Sequence, residues 1–105
     1  MERKDYNGYT NYETWVVALW IDNDQGSQEY WESVAAEIVS EDSPAYIADE
    51  NQQKCTLAER LKQEHEDALP ELNGFAADLL NAGFSEVDWY DIAENLISNA
   101  KENAA

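Results

Sequence analysis

The chain has 105 residues, 44% hydrophobic and 11% aromatic, which suits one domain with a substantial core and argues against disorder. Its 23 Asp and Glu residues outnumber 6 Lys and Arg, and the net charge of -17 disfavours direct binding to nucleic acid or to an anionic membrane. A single cysteine excludes an intrachain disulfide, and neither a signal peptide nor a span of roughly 20 apolar residues is visible. We expect a cytoplasmic protein.

The first predicted helix begins at Thr10, after an irregular arm over residues 1–9 with a turn at Asn7-Gly8. Thr10 and Glu13 fit a capping box, and Gly26 is placed to end the helix. Its apolar side chains recur at helical spacing and are predicted to form the buried face: Tyr12, Trp15, Val16, Leu19 and Trp20.

A second helix is predicted after Ser27, which can cap it. Its apolar stripe consists of Tyr30, Trp31, Val34, Ala35, Ile38 and Val39. The short link around Gly26 favours an antiparallel hairpin of the first two helices.

The middle of the chain is less regular. Ser43-Pro44 is a further helix-start signal, and the polar residues 49–53 are predicted to be a loop or a frayed connection. A longer third helix is expected from Thr56. It has the spaced side chains Leu57, Leu61, His65 and Leu69, before Pro70 breaks the pattern.

Two further helices are predicted near the C-terminus. A short one contains Phe75, Leu79 and Leu80 and is closed by Gly83. The last follows a cap formed by Ser85 with Asp88, and its stripe is Trp89, Ile92, Ala93, Leu96 and Ile97. The sequence thus predicts an all-α single compact domain of about five short amphipathic helices over residues 10–99, with a frayed C-terminus over 100–105.

Two stretches, "TNYETWVVALWIDND" and "SEVDWYDIAENLI", resemble the beginning and end of a small-protein family found on phages and other mobile elements. That family is recognised by an Asn-Tyr-Glu-Thr-Trp signature, here Asn11 to Trp15. The middle of the chain carries no such resemblance. The resemblance implies a phage setting and no particular activity, and such a setting favours proteins that disarm host defence.

The sequence offers little for catalysis. His65 and Cys55 are single residues of their types, too few for a zinc site, and the four glycines are too scattered for a phosphate-binding loop. From Asp22 onward the spacing fails the calcium-loop pattern, which needs an oxygen ligand fifth, Gly sixth and a bidentate Glu twelfth; those positions hold Gly26, Ser27 and Ser33. We therefore expect no enzyme, no cofactor, no metal and no catalytic residue.

The acidic residues carry the functional hypothesis. No Lys or Arg occurs from Asp5 to Gln53, so the acids there forgo the ion pairs of an ordinary helix surface. Acids predicted to lie off the apolar stripes, and so to be partner-binding, are Asp22, Asp24, Glu29, Glu32, Glu37, Asp88, Asp91 and Glu94. Carboxylates on rigid helices could imitate a row of DNA phosphates.

The leading hypothesis is accordingly an acidic DNA mimic of the anti-restriction or anti-CRISPR type. It would occlude the basic channel of a DNA-binding protein or nuclease complex of the host, without binding nucleic acid or membrane itself, and a homodimer remains open. The alternative is a small acidic adaptor that binds a phage or host partner through an exposed aromatic patch, the charge serving solubility. Candidates for that patch are Tyr6, Tyr9, Tyr46 and Tyr90.

Overall fold

Helices dominate residues 6–104, the part of the chain that the computed structural model describes. They are α1 (Tyr12–Asn23), α2 (Gln25–Val39), α3 (Glu50–Asp67), α4 (Gly74–Ser85) and α5 (Trp89–Ala104). The predicted all-α domain with a helical hairpin at its N-terminal end is confirmed. Residues 1–5 of the predicted arm and residue 105 lie outside the described residues. None of the helices within 6–104 is long and apolar enough to cross a membrane.

The core is organised around α5, which packs against α1, α2 and α3. Buried side chains come from all four helices, and Leu57 and Leu61 of α3 are fully enclosed. The predicted stripe of α5 is confirmed, with Leu96 half-buried at its margin. That of α2 is confirmed except for Tyr30, which lies exposed.

The entrance to α1 differs from the prediction by one residue. Asn11 is the N-cap, and its side-chain oxygen accepts a hydrogen bond of 2.9 Å from the Thr14 N–H. Thr10, predicted as the cap, instead bonds to α5. The Asn7-Gly8 turn is confirmed, because both residues have positive φ and Tyr6 and Tyr9 exchange backbone hydrogen bonds across it.

The predicted buried face of α1 is wrong. Thr14, Ala18 and Ile21 are buried, whereas Trp20 is 71% exposed and Tyr12 is also exposed. Residues 15–21 are apolar without a break, so periodicity could not select one face. Thr14, Ala18 and Ile21 form the side of α1 that is packed in the interior, whereas the aromatic side chains of Tyr12, Trp15 and Trp20 lie at its flanks or outside.

Helix α2 begins earlier than predicted. Asp24 separates it from α1 and caps it, accepting hydrogen bonds from the Gly26 and Ser27 N–H groups at 3.0 and 3.4 Å. Gly26 therefore lies in the first turn of α2 and does not end α1, and Ser27 is not the cap. An aspartate at a helix N-terminus satisfies free N–H groups and complements the helix dipole.

Helix α3 also begins earlier, at Glu50. Asp49 caps it, so residues 50–53, predicted to be loop or frayed, form its first turn. Gln53 is buried there and its side-chain amide donates to the Ile47 carbonyl at 2.7 Å. Ser43-Pro44 starts no helix and lies in a turn, which Ile47 fastens to the end of α2 through a 2.9 Å bond to the Ile38 carbonyl.

Helix α4 lies at the edge of the molecule and has no buried residue. Gly83 was predicted to close it but lies within it, and Ser85 is its last residue, with Phe84 packing on the core. Asp88 alone supplies the cap of α5, accepting from the Asp91 N–H at 3.1 Å. Helix α5 continues to Ala104 rather than fraying, and Lys101 bonds to Glu50 at 2.8 Å.

Candidate protein-binding surface

The outer face of α2 carries three exposed carboxylates, Glu29, Glu32 and Glu37. They lie away from the buried stripe of Trp31, Val34, Ala35 and Ile38, as predicted. Glu29 accepts a hydrogen bond of 3.1 Å from the Gln25 side-chain amide, one turn earlier. We call these three residues the α2 acidic face.

Asp22 and Asp24 extend this negative surface around the turn between α1 and α2, and both are exposed. Asp24 has a second role as the cap of α2. Desolvation raises the pKa of Asp22, since its carboxylate lies beside a small cavity lined by Tyr9, Ala18 and Ile92.

The positive charges of the described region lie elsewhere. Its four cationic side chains, Lys54, Arg60, Lys62 and Lys101, all belong to α3 and α5. Lys54 lies 3.3 Å from both Glu50 and Glu94, and Arg60 lies 2.8 Å from Glu64. Hydrogen bonds from Lys101 and Lys54 hold the pKa of Glu50 below its usual value. Within residues 6–104, no ion pair reaches an acid of α1 or α2.

The acids predicted on α5 do not form a second exposed face. Asp91 is only 2% exposed, and its Oδ2 accepts bonds from the Thr10 N–H at 2.9 Å and the Thr10 hydroxyl at 3.0 Å. Asp88 is half-buried as the cap of α5, and Glu94 is paired with Lys54. The prediction failed because α5 is the central helix, packed on several sides, whereas the stripe argument assumed a single partner.

The Asn-Tyr-Glu-Thr-Trp signature has a structural role that sequence reasoning missed. Asn11 donates from its amide to the Glu86 carbonyl at 2.7 Å, and the Thr14 hydroxyl donates to the Asn11 side-chain oxygen at 2.6 Å. That hydroxyl also accepts from the Asp88 N–H at 2.8 Å. The start of α1 is thereby fastened to the link before α5. The available signal was the spacing of Asn11 and Thr14, three residues apart.

The four tyrosines proposed as an aromatic patch do not include the most exposed apolar side chains. Tyr6, Tyr46 and Tyr90 are exposed, but Tyr9 is half-buried and packs against the core. The largest exposures belong to Phe75, Trp20, Leu79 and Tyr12. All of these belong to α1 and α4, which points to a different apolar surface.

The single histidine and cysteine have no shared site. His65 lies between Trp31 and Trp89, with ring centroids 5.8 and 5.3 Å away, and its Nδ1 lies 2.7 Å from the Leu61 carbonyl, to which it donates. Cys55 is an exposed free thiol. Among the described residues, no group of three or more His, Cys, Asp or Glu side chains is arranged to hold a metal ion.

Comparisons with known proteins assign the chain to a family but give it no activity. No curated protein and no solved structure matches it. A group described as "Family of unknown function (DUF7249)" matches residues 2–103. Since that match spans almost the whole sequence, the chain belongs to this family of unknown function, DUF7249.

Proposed function

We propose that this protein is a DNA mimic, a stoichiometric inhibitor that occupies the basic channel of a host DNA-binding protein or nuclease complex. One observation carries the proposal: the α2 acidic face is exposed, without an ion pair in the described region, on a helix anchored by the core. The buried side of α2 fixes the position of its outer carboxylates. A disordered acidic segment could not hold such an arrangement.

The spacing of these carboxylates is compatible with a phosphate row. Glu29 and Glu37 are separated by about 12 Å of helix axis at 1.5 Å per residue. The phosphates of one DNA strand advance about 3.4 Å each along the duplex axis, so this distance covers three to four of them. A channel whose Lys and Arg side chains are placed for a DNA strand could therefore meet several carboxylates at once.

The distribution of charge also favours one orientation of the protein as it approaches a basic channel. Because the cations of the described region lie on α3 and α5, the charged side chains that α1 and α2 themselves contribute are all negative. A basic channel would attract that side first, and such steering raises the association rate more than the final affinity.

The resemblance to a phage-borne family supports a cellular context for this activity. A phage protein that blocks DNA access would act on restriction or CRISPR machinery in the cytoplasm of the infected bacterium. The activity requires no turnover and no cofactor.

The test compares two charge-reversed variants with the parent protein. Glu29→Lys/Glu32→Lys/Glu37→Lys alters the α2 acidic face and leaves the Asp24 cap intact. The control Glu59→Lys/Glu71→Lys/Glu102→Lys makes the same change in net charge at exposed positions scattered over the surface. Proteins captured from a bacterial lysate at low salt are identified, and each is titrated with labelled DNA duplex and the three proteins.

We expect the parent and the scattered control to displace DNA from a captured DNA-binding protein in a ratio of one to one. The α2 variant should associate about tenfold more slowly or worse, since steering falls with the local charge. Simultaneous binding of DNA and parent, or equal loss in both variants, would refute the mimic, because the first excludes a shared channel and the second excludes a defined face.

A further inference from the structure

We propose that a groove between α1 and α4 binds an amphipathic helix of a partner protein, one that carries Lys or Arg beside its apolar stripe. The groove has a volume of about 470 Å³. Its principal lining residues are Tyr12, Val16, Leu69, Leu79, Leu80 and Phe84. We call it the α1–α4 groove. It is separate from the α2 acidic face, and the inference does not depend on DNA mimicry.

The groove continues along α1 into a second depression of about 360 Å³. Both parts are lined by Val16, Val17 and His65, and the second reaches Trp20. Tyr12, Val16 and Trp20 are four residues apart on α1, so they form one ridge along the wall of the groove.

This ridge is open to solvent to a degree that folding does not require. Trp20 is 71% exposed and Leu79, on the opposite wall, is 66% exposed. Phe75 lies one turn before Leu79 on α4 and is 81% exposed. Polar residues at these positions would serve folding equally well, so the exposed apolar side chains need another explanation. Grouped exposed apolar side chains mark binding surfaces.

Helix α4 also has apolar side chains that the core does not cover. It has no buried residue, its N-cap Asn73 makes no side-chain capping bond, and it lies outside the packing of the other four helices. Its apolar residues Leu79 and Leu80 thus line the groove and gain no burial in the core. A helix bound in the groove would cover the apolar side of α4 that the core leaves exposed.

The occupant is identified by charge and shape. Among residues 6–104, no Lys or Arg lines either part of the groove, while Glu13 lines one part and Asp24 the other. Exposed acids Glu66, Asp67 and Asp78 lie next in sequence to lining residues. We call these acids the acidic rim. A second copy of this chain would bring another net charge of -17 to it, so a basic partner is favoured.

A helix suits the walls better than an extended strand does. The ridge from Tyr12 to Trp20 runs for about 12 Å, roughly two helical turns, and both walls are helices without a free strand edge. An amphipathic helix would place apolar anchors at positions i, i+4 and i+7 in the groove, with cations on either side toward the acidic rim.

Gly83 provides a direct test because it lines the groove without filling it. A Cβ at this position would meet no atom within 4 Å, and the residue lies inside α4 without positive φ. Because that Cβ has open space around it, Gly83→Leu adds an apolar side chain at the lining of the groove. Gly83→Ala is the matched control, adding one methyl group and favouring the helix.

The probe is a labelled peptide of about 18 residues made of Leu and Lys at helical spacing. Its controls are the same composition in scrambled order and a Leu/Glu peptide of the same pattern. We expect the patterned Leu/Lys peptide to bind the parent and Gly83→Ala at least about tenfold more tightly than the scrambled one. Gly83→Leu, and Leu79→Lys as a second variant, should lose at least about tenfold in affinity, or 1.4 kcal/mol. Circular dichroism establishes that both variants are folded.

Equal binding of patterned and scrambled peptides would overturn the proposal, since it would reduce the effect to net charge. Parent-like binding by folded Gly83→Leu and Leu79→Lys would also overturn it, because the peptide would then lie elsewhere. A dimer in sedimentation that Gly83→Leu disrupts would identify a second copy as the occupant instead. The α2 variant should keep its preference for the patterned peptide, so failure of the mimic and failure of the groove are separable.

Discussion

At the scale of single residues, the side chain of Thr14 connects α1 to the link before α5. It is fully buried, and its hydroxyl donates to Asn11 and accepts from the Asp88 N–H. A β-branched residue of the same shape without the hydroxyl would leave the Asp88 N–H unpaired. It would also remove one of the two hydrogen bonds that the Asn11 side-chain oxygen accepts, since the Thr14 N–H still donates to it. The polar residues of the signature therefore stabilise the junction between the start of α1 and the link before α5.

We predict that Thr14→Val lowers the free energy of unfolding by about 1–3 kcal/mol, the cost of leaving the Asp88 N–H unsatisfied. Thr14→Ser keeps the hydroxyl and loses one methyl group, so it should cost about 0.8 kcal/mol. Urea unfolding of the three proteins measures both differences. A valine variant as stable as the parent would show that the hydroxyl contributes nothing to this junction.

Asp22 gives a prediction about pH. Its pKa is raised above 3.8 in the folded protein, because desolvation disfavours the charged form. A carboxyl with a raised pKa reduces stability above its folded pKa, and the penalty disappears as the pH falls toward 3.8. Asp22→Asn should therefore raise the melting temperature at neutral pH and lose this advantage near pH 3.8.

The control for Asp22 is Glu37→Gln, which removes one charge from the exposed surface of α2. Because both variants reduce the general repulsion between acids, only the excess gain of Asp22→Asn reports desolvation. Thermal melts at several pH values measure that excess. Equal gains for the two variants at neutral pH would contradict the assignment.

At the scale of helices, the difference between α1 and α2 determines which tryptophans stabilise the fold. Trp31 of α2 is 4% exposed, whereas Trp20 of α1 is 71% exposed. Trp31→Ala should cost about 3–5 kcal/mol, as large-to-small changes in a core do. Trp20→Ala should stay within about 0.5 kcal/mol, because it removes a largely solvated side chain.

Circular dichroism melts distinguish these cases. The sequence predicted that the tryptophans at positions 15 and 20 lie on the buried face of α1. A large loss of stability in Trp20→Ala would support that prediction. A small loss there, together with weaker binding of the patterned peptide, would assign Trp20 to the α1–α4 groove.

At the scale of the whole molecule, the net charge of -17 and the confinement of described cations to α3 and α5 oppose compaction. We predict that the melting temperature rises from dilute buffer to about 0.5 M NaCl, where the Debye length is only about 4 Å. Glu29→Lys/Glu32→Lys/Glu37→Lys should show a smaller rise, since three like charges are already removed. A flat or falling melting temperature for the parent would mean that the acids are compensated by pairing.

The sequence predicted the helices well where polar and apolar residues alternate with a clear period. In α2 and α5 the stripes stand out against charged neighbours, and the residues so identified are buried except for exposed Tyr30 and half-buried Val39 and Leu96. Pro70 correctly limited α3, which ends at Asp67. The start of α3 was misplaced because its polar first turn is indistinguishable from a loop until the Asp49 cap and the burial of Gln53 are known.

The candidate site was predicted in part. The exposure of Glu29, Glu32 and Glu37 followed from their angular position on a helix with one buried stripe. Asp91 could not be judged in this way, because its burial results from contact with Thr10, 81 positions away in sequence. Long-range hydrogen bonds of this kind leave no periodic trace.

The sequence alone determined the helical class, the hairpin and the exposed acids of α2, since each depends on local spacing and composition. Only the tertiary structure decided which face of the apolar helix α1 is buried, and that α4 keeps an open apolar side. The physical reason is that an unbroken apolar run has no preferred direction of its own. Its buried face is selected by the neighbours that pack against it, here α2 and α5, through small residues at Thr14 and Ala18.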